Sequence, residues 1–300
     1  MEKLYFNVSI DCEATQPAVN DPVLGCAAIT GLAEIFANEK IRGTFLVIPT
    51  DIEAHSNIYT EIKKSGHEVG LHLHPAAQGY QEFLGVYDAK IQKKIISEAM
   101  DRFSQAMGYP PTAFCPGYVS ANDSTYGVLE ELGFEHGMCS IPGRILPQCV
   151  SLWAGAPLFI HNANSCNRML PGTMNFIEIP PTVDWESMMW GGRHPQDLRV
   201  ELVDAKNHYY TIQKSLDRQV KENVPVKIIH AVTHNTFDYS SRTDFRRQTL
   251  EGIIRHCRGI AEKAGMEFVG TTMEEIARIY RELVKPQVEE LKLDRRGYGK

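Results

Sequence analysis

Along the first 134 residues, apolar and polar positions follow two periods in turn. Four short apolar runs have the length of strands: "LYFNVSID" (4–11), "RGTFLVIP" (42–49), "GHEVGLHLHP" (66–75) and "TAFCPGY" (112–118). Each stops at acidic residues, proline or a Pro-Gly turn, as buried strands of parallel sheets do. Between them, 21–40, 58–66, 88–108 and 120–134 carry helical spacing. The third of these ends at Gly108, which suits a helix C-terminus, and the fourth opens on Asn122, Asp123 and Ser124, residue types that cap helix N-termini. Strand and helix alternating over short connections predict a parallel α/β sheet, either doubly wound or closed into a barrel. The middle, 137–210, is less regular and rich in Gly, Pro, Asn and Trp, so it reads as long loops around strands such as 175–181. Alternation then resumes with a strand over 225–235, a helix over 246–265, a strand over 267–272 and a helix over 273–284. Without a repeat or an interdomain linker, the pattern predicts one domain over 1–284 and a charged tail over 285–300.

In parallel α/β sheets, sites gather where strands end, so polar residues closing apolar runs are the ones to question. Side chains alternate faces along a strand, which sends Asp11 and Glu13 to one side and Cys12 to the other. Two carboxylates closing a buried strand are costly unless paired or bound to a cation. By the same rule His72 and His74 project together, opposite Leu71 and Leu73, in a geometry suited to two imidazoles on one divalent ion. His67, at the start of that strand, reads as structural. His230 and His234 close the run 225–235. His234, nearer the loop, suits acid–base work because an imidazole titrates near neutrality, whereas His230 reads as a hydrogen-bonded core residue. The Pro-Gly turn of "FCPGY" exposes the backbone and ring of Tyr118.

Composition narrows the setting. A net charge of −6 and a sequence pI near 6.0 argue against a nucleic-acid surface, which carries a basic excess. No apolar stretch approaches the roughly 20 residues of a membrane span. The start, "MEKLYFNVSID", enters a strand almost at once, without the segments of a secretory signal, so the expected location is the cytoplasm. Seven scattered cysteines with no CxxC suggest neither a disulfide framework nor a zinc knuckle. Charge and surface helices neither demand nor exclude an oligomer.

Taken together, these motifs resemble the polysaccharide deacetylase superfamily, the carbohydrate esterases that include chitooligosaccharide and peptidoglycan deacetylases. The resemblance runs over about 4–282. Ser9-Ile10-Asp11-Cys12-Glu13 is similar to the family's first motif, Thr-Phe-Asp-Asp-Gly. Gly66 to His72 is similar to its Gly-His-Glu-Ile-Gly-x-His run, the most specific match. "RGTFLVIP" resembles the Ala-Thr-Phe-Phe-Val strand, "FCPGY" the Arg-x-Pro-Tyr motif, and "FIEIPPTVDW" and "AVTHNTF" the late Trp- and His-containing motifs. The chain departs from the pattern at Cys12, where the family has its second Asp, at Ala76, where it has its second histidine, and at Cys115, where it has an arginine.

The resemblance implies a distorted (β/α) barrel of about seven parallel strands. It also implies a hydrolase that removes an acetyl or similar acyl group from an amino sugar or glycan precursor, acting on a non-peptide C–N bond. One divalent metal, zinc foremost, would sit on Glu13, His72 and His74, with His74 standing in at Ala76's expense and Asp11 and Glu13 open as alternatives. Asp11 would be the base, His234 the acid, and the Tyr118 amide a partner for the oxyanion. Trp153, Trp185 and Trp190 offer either sugar-stacking faces or core packing, with Trp185 and Tyr118 taken as substrate contacts. The expected partner is a carbohydrate or acylated amino sugar, in surface polysaccharide biosynthesis. Two other readings stay open: a metal-independent amidohydrolase of the same fold, similar to allantoinase-like members, and an inactive carbohydrate-binding protein, which Cys12, Ala76 and Cys115 favour.

Overall fold

The fold is seen in a computed structural model that describes residues 1–286, so the last fourteen residues of the expected tail lie outside the described residues. Its strands are β1 (Lys3–Cys12), β2 (Thr44–Val47), β3 (Glu68–Leu73), β4 (Ala113–Pro116), β5 (His136–Gly137), β6 (Ile145–Leu146), β7 (Ser151–Leu152), β8 (His161–Asn162), β9 (Ile177–Glu178), β10 (Val183–Met189), β11 (His194–Asp197), β12 (Lys227–His234) and β13 (Glu267–Gly270). Its helices are α1 (Pro22–Asn38), α2 (Pro49–Lys64), α3 (Ala89–Met107), α4 (Thr125–Glu131), α5 (Ala205–Lys221), α6 (Phe245–Lys263) and α7 (Met273–Leu283).

Nine strands form one curled sheet in the order β12-β1-β2-β3-β4-β5-β9-β8, with β13 beside the N-terminal half of β1. Eight of these run parallel, one more than the sequence predicts, and β8 is antiparallel to β9. β6–β7 and β10–β11 make two separate antiparallel ribbons in the irregular middle. The sheet is the half-barrel of a deacetylase-like (β/α) fold. Leu4, Phe6, Val8 and Ile10 of β1 are fully buried and pack with α1 and α6 residues such as Leu32, Phe36, Ile253 and Cys257. Each such side chain contributes about 1.5–3 kcal/mol by leaving water.

Local chemistry sets the helix starts. Asp21, Asp88, Asp204, Asp244 and Thr272 each accept a backbone N–H of the following turn at the head of α1, α3, α5, α6 and α7. Pro49 stops the second apolar run, but it also occupies the first turn of α2. That helix therefore begins nine residues before the predicted 58–66, because proline's fixed φ and missing N–H suit the first helical position. α5 is not predicted: only its first residues fall in the stretch 137–210 expected to be loops, and the rest carries no assigned element. It buries His208, Thr211, Ser215 and Gln219 beside Ile212 and Leu216, so its inner face is largely polar.

That polar face has a task. β1 takes one edge of β12, and on the other edge Ile228, Ile229's neighbour His230, and Val232 meet three different segments. The Gln219 amide accepts from Ile228 N–H at 2.8 Å and donates to Ile228 C=O at 2.8 Å. Thr182 N–H donates to His230 C=O at 3.0 Å, and its hydroxyl accepts from His230 N–H at 2.9 Å. Val200 N–H donates to Val232 C=O and Val232 N–H to Leu198 C=O, at 3.0 and 3.1 Å. The open edge is thus satisfied residue by residue, as buried backbone requires. Among the described residues no helix is long and apolar enough to cross a membrane.

Candidate active site

The C-terminal ends of β12, β1, β3 and β4 converge on a cavity of about 250 Å³, lined among others by Asp11, Glu13, His72, His74, Tyr118 and His234. Sheet register explains part of this: Asp11 and His234 are direct neighbours across β1 and β12, and His72 faces Cys115 across β3 and β4. Sheet curvature supplies the rest by bringing the end of β3 against the residue that follows β1.

One oxygen of Glu13 lies 2.7 Å from His74 Nε2 and 3.3 Å from His72 Nε2. The other ring nitrogens are committed. His72 Nδ1 donates to the Cys115 carbonyl at 3.0 Å, and His74 Nδ1 donates to Glu82. Both Nε2 atoms therefore face the shared carboxylate, an arrangement of oriented imidazoles typical of ligand sets with an outer shell. Burial alone would raise the Glu13 carboxyl, but the bonds from His72 and His74 and the nearby His234 hold it well below its usual range. Burial would likewise lower His74, yet Glu13 and Glu82 raise it to about 10. The Glu13 backbone is fixed as well: its N–H donates to Asn235 Oδ1 at 2.7 Å, and Asn235 in turn donates to the buried Asp51.

The ligand atoms of Glu13, His72 and His74 lie within 4.8 Å of one another, as do those of Asp11, His72 and Cys115. Asp11 Oδ1 is buried without a hydrogen-bond partner. An orphaned carboxylate oxygen beside two imidazoles whose Nε2 atoms share one carboxylate fits a divalent cation. The Cys115 thiol is pushed well above its usual pKa by burial and then by Asp11, which makes the Glu13 set the better donor group.

On the opposite wall, His234 Nε2 stands 3.9 Å from Asp11 Oδ2, and His234 Nδ1 donates to Glu201. Burial opposes its charge, but Glu201, then Glu13 and Asp11, raise its pKa to about 9. Tyr118 sits at the rim, 48% exposed, with φ +57° in a region that L-residues rarely adopt, followed by Val119 at +48°. The turn is pinned by Arg144 and Trp153, which donate to the Tyr118 and Val119 carbonyls at 3.1 and 2.9 Å. Gly117 permits the approach, since a Cβ there would lie 2.7 Å from the His74 ring.

The tryptophans separate. Trp153 is fully buried core. Trp185, expected at the substrate, does not line the cavity: Arg218 of α5 covers its ring at 4.4 Å, because β10 turns that face toward the helix. Trp190 lines the cavity instead.

Comparison with known proteins agrees with this geometry. The polysaccharide deacetylase family model matches residues 27–137. Over that stretch, 111 of the 300 residues, the chain is similar to the polysaccharide deacetylase family. No curated protein matches it. Among solved structures, it resembles one from Mycobacterium smegmatis described as a polysaccharide deacetylase, with TM-score 0.65, 16% identity, and coverage of 97% of this chain and 96% of that one. One from Parabacteroides distasonis, described as a glycoside hydrolase/deacetylase, gives TM-score 0.69 at 13% identity, covering 95% and 72%. The Puue allantoinase gives 0.62 at 13%, covering 93% and 90%.

Four charged residues of this site were not singled out by sequence: Glu82, Arg144, Arg199 and Glu201. They reach it from loops whose spacing carries no period, so only the three-dimensional path of the chain brings them together.

Proposed function

We propose that the protein is a metal-dependent hydrolase that removes an acetyl or similar acyl group from an amino sugar, with Glu13, His72 and His74 holding one divalent cation, zinc first among candidates. The observation that carries this is the Glu13 carboxylate set between two Nε2 atoms whose rings are locked from behind, with the Asp11–His234 pair across the cavity. Such a cation, when bound, supplies a Lewis acid for the acyl carbonyl and a lowered pKa for attacking water. Asp11, with its buried unpartnered oxygen, takes the water proton as oxygen adds to the acyl carbon. His234, held as imidazolium by Glu201, gives its proton to the nitrogen as the C–N bond breaks, so that amine and carboxylate leave. The Tyr118 amide faces the oxyanion, and the strained turn keeps it there. A cavity of about 250 Å³ lies below the roughly 300–1,000 Å³ of drug-sized pockets, which suits one sugar unit with its acyl group. A step in surface polysaccharide biosynthesis fits such a substrate.

The test is metal content by plasma mass spectrometry of purified protein and of a His72→Ala, His74→Ala double variant, followed by acetate release from acetylated amino sugars. About one transition ion per chain, lost in the variant, is expected. A second reading, hydrolysis without metal, draws on the direct Glu13–His74 bond, an ion pair complete in itself. Protein that stays metal-free after incubation with zinc, cobalt or manganese, yet releases acetate, decides for that reading.

A further inference from the structure

The cavity holds a cation that the hydrolytic machinery leaves unused. Arg144 lines it with only 5% of its surface exposed, and its backbone is fixed by bonds from its N–H to Ile141 C=O at 3.0 Å and from Trp153 N–H to its C=O at 2.7 Å. Nη1 donates to the Tyr118 carbonyl, a neutral acceptor, and Nε is buried with no partner at all. Buried arginine is ordinarily paired, because an uncompensated charge out of water is costly.

The nearest acid is already shared. Asp197 Oδ2 lies 3.2 Å from Arg199 Nη2 and 3.4 Å from His194 Nε2. Glu13 and Glu82 serve His74, and Glu201 serves His234. Burial first, and then the Arg199 charge, pull Arg144 down to about 10 against the opposing pull of the shared Asp197, as expected of a cation crowded by another. Arg199 lines the same cavity and is answered by Asp197, Glu201 and Asp11, whereas of these only Asp197 acts on Arg144.

We propose that Arg144 and Arg199 form an anion subsite, and that the substrate carries, beside the amide that is cleaved, one singly charged oxyanion, the carboxylate of a uronic acid or a phosphodiester. A guanidinium whose buried Nε has no partner suits one singly charged oxyanion, and its planar fork fits both kinds. The inference rests on the hydrolase reading for the amide but not for the charge, and binding tests it separately from turnover.

The experiment is calorimetric titration of the full chain with N-acetylglucosamine, N-acetylglucosaminuronic acid and the methyl phosphodiester of N-acetylglucosamine, with acetate and dimethyl phosphate as minimal probes. Wild type is compared with Arg144→Met and Arg144→Lys, each checked for folding by circular dichroism. At least one anionic probe is expected to bind about tenfold or more tighter than its uncharged counterpart. That preference disappears in Arg144→Met and returns in part in Arg144→Lys. Which anion gains identifies carboxylate or phosphodiester. A variant that only loosens the Tyr118 turn weakens charged and neutral sugars alike, so a preference that survives Arg144→Met overturns the subsite. Equal binding of charged and neutral probes by wild type, or binding of none, overturns it too. An Arg144-dependent preference without acyl release from any of the sugars leaves the subsite standing and removes the hydrolase reading.

Discussion

Within the site His74 and His234 are each tuned by the carboxylate behind the ring, and His234 shows this most directly. Glu201 accepts from its Nδ1 and, after the opposing effect of burial, is the largest influence raising its pKa to about 9. Glu201→Gln keeps an acceptor but removes the charge. Nuclear magnetic resonance titration of labelled histidines in metal-stripped protein is expected to show the His234 midpoint falling by at least about one unit toward the 6.5 of a free imidazole. Should hydrolysis need the imidazolium, the alkaline limb of the pH profile moves down with it. A His234 midpoint that does not move would show that Glu201 only orients the ring. At this scale much of the site was legible. Asp11, Glu13, His72 and His74 all close strands, and alternation alone aims each pair to one face. His72 and His74 are on one carboxylate, and Asp11 meets His234 in sheet register. Their outer partners were not legible, because Glu82 follows a turn, Glu201 follows a ribbon, and neither sits at a fixed distance along the chain from the histidine that it holds.

Among the elements, β12 is the one whose environment is built most indirectly. Its outer edge meets the Gln219 side chain, Thr182 and the 198–200 segment at alternate residues instead of a neighbouring strand. This arrangement also carries Arg199 to the cavity and Glu201 to His234, so the edge repair and the site share one segment. Gln219→Leu keeps the volume but leaves the Ile228 N–H and C=O unpaired. At about 1–3 kcal/mol for each buried group, the cost of the two is roughly 2–6 kcal/mol. A fall in the urea midpoint of that size is expected, with the metal site intact; a change near zero would mean that water or a shifted α5 takes over both bonds. The strands β1 to β4 were readable as short apolar runs stopped by polar residues or proline, and helices α1, α3, α6 and α7 by apolar residues at helical spacing. α5 and the two ribbons were not, since their inward residues are polar and answer backbone groups on elements far along the chain. Trp185 went astray for the same reason: without knowing that α5 exists, nothing places Arg218 over its ring.

Across the whole molecule, the histidines divide into two groups with opposite effects on stability. Burial depresses His67, His161 and His230 to about 4, so each is neutral in the folded protein while the unfolded chain takes up its proton near 6.5. Their contribution is present above 6.5 and lost as pH falls through about 4. Burial raises the Glu178 carboxyl to about 7 despite bonds from Cys139 and Ser140, so between 4.5 and 6.5 the folded state keeps one proton that the unfolded chain gives up. The unfolded chain therefore binds more protons than the folded one in that window, and stability rises with pH there. His74 and His234, raised to about 10 and about 9, work the other way. Above 6.5 the folded protein holds protons that the unfolded chain has lost, so their contribution fades as pH climbs toward those values. Metal-stripped protein is thus expected to be most stable near pH 6.5 and to weaken on both sides, as read from urea midpoints between pH 4.5 and 9.5. A cation on His74 takes the place of its proton, so adding zinc should flatten the alkaline side while leaving the acid side unchanged. An alkaline side that zinc does not alter would mean that His74 is not a ligand, and the acid side would still report the three buried histidines.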